Sequence, residues 1–312
     1  MIKTDKNFPL VSVVTVNYNQ TKVTDEFLQS MKNITYPNIE IFVVDNASPI
    51  DDSDSLKETF PYIHLIKSKE NLGFAGGNNL ALPHCSGKYV LFINNDTEVE
   101  PDFLQPLVET LENDANIGMV SPKVQYFHTK DTLQFAGFTQ FNMVTIRNFA
   151  VGFGEIDKGQ YNHCTKTGSI FGAAMLVPMK IIEEVGMMTH VFFLYYEEHD
   201  WAAHIERAGY KIYYQGNSLV LHKESISTVK DSPFQIYYIN RGRILFARRN
   251  TKGLKGLITL LYLYFVSAPR ISIGFIMRKR LDLMWAYWRA IWWNLTHHKE
   301  SVIGIPKLIK KV

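Results

Sequence analysis

At 312 residues, with 46% hydrophobic and 20% charged side chains, the chain has the composition of an ordinary globular protein with room for one large domain or two smaller ones, which excludes a disordered or fibrous class. Only Cys85 and Cys164 are present, without His or Cys neighbours at zinc-site spacing, so neither a disulfide framework nor a structural zinc is expected and a reducing, cytoplasmic setting fits. The net charge of +3 hides an asymmetry: residues 241–312 hold 15 of the 33 Lys and Arg but only Asp282 and Glu300 of the 30 acidic residues, so an acidic front is joined to a basic tail.

The amino terminus, MIKTDKNFPLVSVVTVNYN, lacks a basic start followed by a long apolar core and a small-residue cleavage site, and no secretory signal is expected. Strands are predicted at Val11 to Val16, Ile39 to Val44, Ile63 to Ile66 and Tyr89 to Ile93, each a β-branched or aromatic run of strand length. Helix-like stretches lie between them at Thr24 to Asn33, Asp51 to Thr59 and Gly76 to Pro83. Alternation of this kind predicts a parallel sheet with crossover helices. No internal repeat or low-complexity segment interrupts it.

All four strands run into polar residues. The first ends in Asn17, Tyr18 and Asn19, the second in Asp45, Asn46 and Ser48, the third in Glu70 and Asn71, and the fourth in Asn94, Asn95 and Asp96. Any one of these tips is also what a turn or a helix cap requires. Four together read as a ligand crevice beyond the carboxyl edge of an open α/β sheet. The loop NLGFAGGNN, with Gly73, Gly76 and Gly77, spells neither G-x-G-x-x-G nor a P-loop. It does permit close backbone approach to an anion such as a diphosphate just before a helix amino terminus.

Further along, in YYEEHDWAAHIERAGY, a helix starting at Glu197 would place Glu197 and Asp200 on one face, with Glu198 turned about 100° away and Trp201 beside it. Paired acids suit proton transfer, and an acidic first turn equally suits the helix dipole. In the tail, the twelve-residue apolar run Leu257 to Ala268 is short for a bilayer span. Four of the five tryptophans, Trp285, Trp288, Trp292 and Trp293, follow it, and a helix would align Leu281, Met284, Trp285, Trp288 and Trp292 in one apolar seam. Such a seam among basic residues suits an anionic membrane surface, or packing against the catalytic domain or a second subunit.

The segments VSVVTVNYN, VVDNAS, NLGFAGGNN and YVLFINNDTEVEPDF, in this order and spacing, resemble the nucleotide-sugar-binding half of family 2 glycosyltransferases, rhamnosyltransferases among them. GSIFGAAMLVPMKIIEEVG, FFLYYEEHDWAAHIERAGY and VLHKESIST extend the likeness to about Thr228. The resemblance implies an α/β GT-A fold, a Rossmann-like nucleotide-binding mixed sheet flanked by helices, with a helical C-terminal extension. It implies a catalytic domain over 1–228, with a donor half at 1–120 and an acceptor half at 121–228, followed by a basic, aromatic region at 229–312 for membrane or subunit contact.

Residue by residue, NND stands where the family carries D-x-D, so Asn94 replaces the first Asp and Asp96 is the implied ligand for Mn²⁺ or Mg²⁺, with His222 as a second. A lone His after an apolar run can also be structural. Asp45 would accept from a pyrimidine base packed on Tyr18. Asn17, Asn19, Asn46, Asn71, Gly73, Gly76, Asn78, Asn94 and Asn95 would line the donor pocket, and Gly172 and Ala173 the small-residue floor near the sugar and acceptor. The second acid of the paired motif, Glu198, takes the place of the general base where the family often has Asp. Its longer reach leaves Glu197 and Asp200 open as alternatives, with Trp201 nearby. The expected reaction is inverting transfer of a sugar, with dTDP-rhamnose the leading donor and a UDP-hexose the alternative, to a polyprenyl-diphosphate-linked saccharide in polysaccharide synthesis at the inner face of the membrane. A glycoside hydrolase would need the paired acids but not a diphosphate loop and a metal tip. A nucleotidyltransferase would leave the paired-acid helix and VLHKES unused. A nucleic-acid binder would leave Asp45, Asp96 and Glu198 without a task, and no nucleic-acid partner is expected.

Overall fold

A computed structural model describes residues 8–50, 52–223 and 231–297. The chain runs β1 (Val11–Asn17), α1 (Thr21–Met31), β2 (Ile39–Asp45), α2 (Asp54–Thr59), β3 (His64–Lys67), α3 (Gly73–Ala81), β4 (Tyr89–Ile93), β5 (Thr97–Val99), α4 (Leu104–Asn113), β6 (Ile117–Tyr126) and β7 (Leu133–Phe135). It continues through β8 (Cys164–Lys166), β9 (Ala174–Pro178), α5 (Met179–Val185), α6 (Glu197–Arg207), β10 (Lys211–His222), α7 (Pro233–Asn250), α8 (Gly253–Leu261), α9 (Ala268–Met277) and α10 (Leu281–Thr296). The end of the VLHKESIST stretch and the last basic residues of the tail, the latter predicted for membrane or subunit contact, lie outside the described residues.

The sheet is ordered β3-β2-β1-β4-β9-β6-β10-β5. Its first four strands are parallel, as the alternation predicts. From there the sheet is mixed, because β9 pairs antiparallel with both β4 and β6. Strand order reverses around β1, with β2 on one side and β4 on the other, and that switch point opens the crevice at the carboxyl edge.

Burial on both faces explains why the central strands read as unbroken apolar runs. Tyr89, Leu91 and Ile93 of β4 join one core cluster with Phe27, Leu104 and Leu107, while Val90 and Phe92 join the opposite cluster with Ala75, Ile181 and Trp201. The period of two divides β9 the same way, Ala174 and Leu176 to one side and Met175 and Val177 to the other.

Two predicted features shift. The glycines of NLGFAGGNN do not form a loop ahead of the helix: α3 begins at Gly73, so Gly76 and Gly77 lie inside it. Gly77 is there for packing, since a Cβ would stand 3.1 and 3.2 Å from the Val16 methyls. Only Gly73 has the left-handed backbone that favours glycine, and a Cβ on it would meet the Phe193 carbonyl oxygen at 2.1 Å.

In the tail, the apolar run extends well beyond its predicted twelve residues. Residues Gly253–Met277 form a continuous 25-residue helix, apolar and mostly exposed, long enough to cross a membrane by length and composition. A π-helical turn at Tyr262–Ser267 precedes Pro269, which sits in the first turn of α9, and the helix continues through it. The predicted Trp seam is real and faces mostly outward, with the Trp288 indole N–H donating to Ser272 Oγ of α9 at 3.1 Å. Leu283, Ala286, Tyr287, Ala290 and Ile291 make the buried face of α10, leaving Leu281, Trp285, Trp288 and Trp292 outside, with Trp285 66% and Trp292 68% exposed.

Candidate active site

A cleft of about 510 Å³ opens over the carboxyl edge of the sheet. The strand tips supply Tyr18, Asn46, Asn71, Asn94, Asn95 and Asp96 to it, with Gly73 from the start of α3. Gly172 and Ala173 form its floor, and Glu197, Glu198 and His222 reach it from the acceptor half. Sequence-predicted Asn17, Asn19, Asp45, Gly76, Asn78, Asp200 and Trp201 do not line it.

Most of these seven hold the tips in shape. Asn17 Oδ1 accepts from Thr24 Oγ1 at 3.0 Å and from the Gln20 amide at 3.3 Å. Asn19 N donates to Ser48 Oγ at 2.8 Å. Asp45 accepts the Ser48 amide at 3.1 Å and the Ser53 hydroxyl at 2.8 Å, closing an Asx-type turn. Asn78 Nδ2 donates to the Phe74 carbonyl inside α3 at 2.9 Å. Asn46 does both jobs: it lines the cleft, and its amide ties the end of β2 to Asn71 Oδ1 at 3.1 Å and the Gly73 carbonyl at 3.0 Å.

At the fourth tip, His222 Nε2 stands 3.1 Å from Asp96 Oδ1. Antiparallel pairing of β10 with β5 sets His222 opposite Thr97, and the Lys223 amide donates to the Asp96 carbonyl at 2.8 Å, so the two side chains are brought together by backbone. Lys223 is itself pinned between Glu26 at 2.6 Å and Glu98 at 2.7 Å. On its far side, His222 Nδ1 meets Gln134 Oε1 at 2.8 Å. With Nδ1–H donating to that oxygen, the Nε2 lone pair and a carboxylate oxygen, two acceptors, face each other. A metal ion held by both would resolve the contact, and an outer-shell acceptor on the second nitrogen is the usual arrangement for a metal-bound His. Two donors bound side by side to one ion at about 2.1 Å lie roughly 3.0 Å apart, so this pair fits Mn²⁺ or Mg²⁺. Among the described residues no group of three or more His, Cys, Asp or Glu could hold a metal, so the remaining ligands would come from diphosphate and water.

The acids of α6 are separated by environment. Phe193, Tyr195 and Tyr196 all have positive φ, a strained turn that sets the first residues of α6 at the cleft. α7 buttresses that turn: Arg241 NH2 donates to the Val191 carbonyl at 2.7 Å and the Phe192 carbonyl at 2.5 Å. Glu197 is buried, with one carboxyl oxygen unpartnered among the described residues; burial and the charge of Glu198 push its carboxyl well above the ordinary range. Asp200 is fully buried and locked, its two oxygens 3.0 Å from Arg249 Nε, with Asn250 Nδ2 at 2.7 Å and Thr189 Oγ1 at 3.2 Å. Trp201 fills the core edge-on to Phe92 at 5.5 Å, with its indole N–H on the Gly186 carbonyl at 2.8 Å. Glu198 alone of the three acids is both partly exposed and in the cleft, and a Cβ on Gly172 would lie 3.6 Å from its carboxylate.

Sequence reasoning missed the wall opposite the strand tips, where Phe138, Phe153, Phe171, Phe193 and Phe234 line the cleft, and it missed Gln134. Nothing in their local patterns separates these from core aromatics.

The mixed sheet and its cleft define a GT-A-type glycosyltransferase scaffold. A solved structure, the mannosyltransferase PcManGT from Pyrobaculum calidifontis in complex with GDP-Man and Mn²⁺, superposes with a TM-score of 0.60 at 18% identity, covering 94% of this chain and 89% of that one. The family model for glycosyl transferase family 2 matches residues 12–171, and the chain belongs to that family. It is 24% identical over 245 residues to the low-salt glycan biosynthesis hexosyltransferase Agl10 of Haloferax volcanii, covering 75% of this chain and 74% of that one. It is 33% identical over 115 residues to an uncharacterized glycosyltransferase of Haemophilus influenzae, an alignment that spans 36% of either chain.

Proposed function

We propose that the protein is a metal-dependent inverting hexosyltransferase that moves a sugar from a nucleoside diphosphate to a lipid-linked saccharide. The observation that carries this reading is the opening of Glu198 and the Asp96–His222 pair into one cleft. Asp96 and His222 would hold Mn²⁺ or Mg²⁺, and the bound ion supplies charge stabilisation to the departing diphosphate. Tyr18, 39% exposed at the cleft, offers its ring to the nucleotide base. Glu198 takes the acceptor hydroxyl proton as that oxygen attacks the anomeric carbon and the bond to diphosphate breaks, a single displacement that inverts configuration.

The resemblance of the strand-tip motifs makes dTDP-rhamnose the leading donor and a UDP-hexose the alternative. A polyprenyl-diphosphate-linked saccharide is the acceptor class that matches the aromatic wall and the exposed apolar face of α8 to α10, bordered by Lys252, Lys255, Arg270, Arg278 and Lys279. On this reading residues 229–312 seat the enzyme on the cytoplasmic face of the cell membrane. Calorimetric titration with dTDP-rhamnose and UDP-sugars, with Mn²⁺ and again with chelator, tests the site: metal-dependent binding of one donor is expected, and no binding of any nucleotide sugar would overturn it. Co-sedimentation with anionic vesicles tests the seat. A stable dimer that leaves vesicles alone would assign the Trp face to a second subunit.

A further inference from the structure

We propose that His199 is the positioning residue for Glu198: steered by Ser169, its Nε2–H aims the Glu198 carboxylate into the cleft. The inference rests on the reading of Glu198 as the base. Ser169 Oγ lies 2.7 Å from His199 Nδ1, and on the other side of the ring Nε2 lies 3.8 Å from Glu198 Oε1. A carboxylate can only accept, whereas a serine hydroxyl can give or take. The assignment that satisfies all three groups puts the ring proton on Nε2 facing Glu198, with Ser169 O–H donating to Nδ1. Burial holds the imidazole below its ordinary pKa range, with the Glu198 charge opposing, so a neutral ring agrees with this tautomer.

The ring has little freedom to turn. Phe138, Phe141 and Tyr196 meet it edge-on with centroids at 5.3, 5.2 and 5.4 Å. Ser169 is buried, and its carbonyl accepts from Thr167 Oγ1 at 3.1 Å, which also accepts the Phe138 amide at 2.7 Å. The imidazole is therefore a strut between a fixed segment ahead of β9 and the flexible carboxylate. Glutamate has one more rotatable bond than aspartate, a freedom the strut would remove once the contact forms. The gap of 3.8 Å exceeds a hydrogen bond and closes by rotation of the Glu198 side chain, as catalytic contacts commonly tighten on binding. No proton passes through His199: the acceptor proton ends on Glu198.

The test needs no acceptor. Nitrogen-15 histidine NMR of the full chain should show His199 as the neutral Nε2–H tautomer, and S169A should disturb it. An Nδ1–H tautomer or an imidazolium would overturn the proposal. Release of nucleoside diphosphate into water, from whichever donor calorimetry selects, supplies the rate. H199L should lower kcat by about 10²-fold, the cost of a misplaced catalytic group, with donor Kd unchanged. H199Q, which keeps an N–H donor at similar reach, should restore kcat to within about fivefold of the parent. Unchanged donor binding reports that each variant is folded; if H199L fails that check, S169A and H199Q carry the test. Full activity in H199L while E198Q is inactive would sink this inference alone. Full activity in E198Q would remove the base reading itself.

Discussion

The sheet and the C-terminal helices use apolar residues in opposite ways. In β4 all five side chains are buried, alternate ones in separate cores, and the strand serves as a rigid rod that carries a polar tip. In α8 to α10, residues as large as Phe265, Met277, Trp285 and Trp292 are more than half exposed. A contiguous exposed face of that kind marks a surface built to meet another phase or another molecule. On the proposed reading, chemistry and location belong to different parts of one chain, and substitutions should affect them separately.

The sharpest separation is expected at the tip. Asp96→Ala should lower kcat/KM by at least about 10³-fold, the several kcal/mol of charge stabilisation that a metal supplies, and abolish the Mn²⁺-dependent part of donor binding in calorimetry while vesicle association stays intact. Glu198→Gln should cost about 10³-fold in kcat with donor affinity unchanged, since a general base contributes on that scale. Near-normal turnover would place the base elsewhere. Asp200→Ala removes one partner of a buried ion pair and should destabilise the fold by about 3–5 kcal/mol in urea titration. It is the change expected to disturb both regions, because Arg249 and Asn250 belong to α7.

Replacing Trp285, Trp288 and Trp292 together by Ser should weaken binding to anionic vesicles at least about tenfold and leave donor affinity alone. A loss of donor affinity would break the comparison. The smallest effect concerns Asp157, whose buried carboxylate sits 2.6 Å from Lys123. Burial would raise its pKa, but Lys123 and the Gly159 amide outweigh that and hold it below the ordinary value. A pKa lowered by folding adds stability that is fully present above the unfolded carboxylate range and is lost as pH falls through the folded value. Lys123→Met should therefore flatten the loss of urea stability below about pH 4.

What could be read from the sequence follows physical locality. β1, β2 and β4 were legible because burial on both faces leaves a nearly uninterrupted apolar run, and their tips because polarity changes within one residue; β3, half-exposed at the sheet edge, was legible only from its short apolar run. The meeting of Asp96 with His222 was legible only through the family motif. β9 was not: Ala174–Pro178 is five residues with no periodic signature, and its antiparallel place between β4 and β6 depends on partners far away in sequence. The distinct fates of Glu197, Glu198 and Asp200 were equally hidden. Three acids within four positions look alike until Arg249, 49 residues on, is seen to claim one of them. The Trp seam shows the limit of periodicity, which finds an amphipathic face without saying which way it points.

The clamp of Arg249 and Asn250 on Asp200 also sets a rule for exchanging parts between relatives. A tail taken from another transferase would have to join after Asn250, because a junction placed earlier discards the counter-charge of a carboxylate at the start of the base helix. The C-terminal helices can vary freely only beyond that point, so recombination can exchange them without first undoing that clamp.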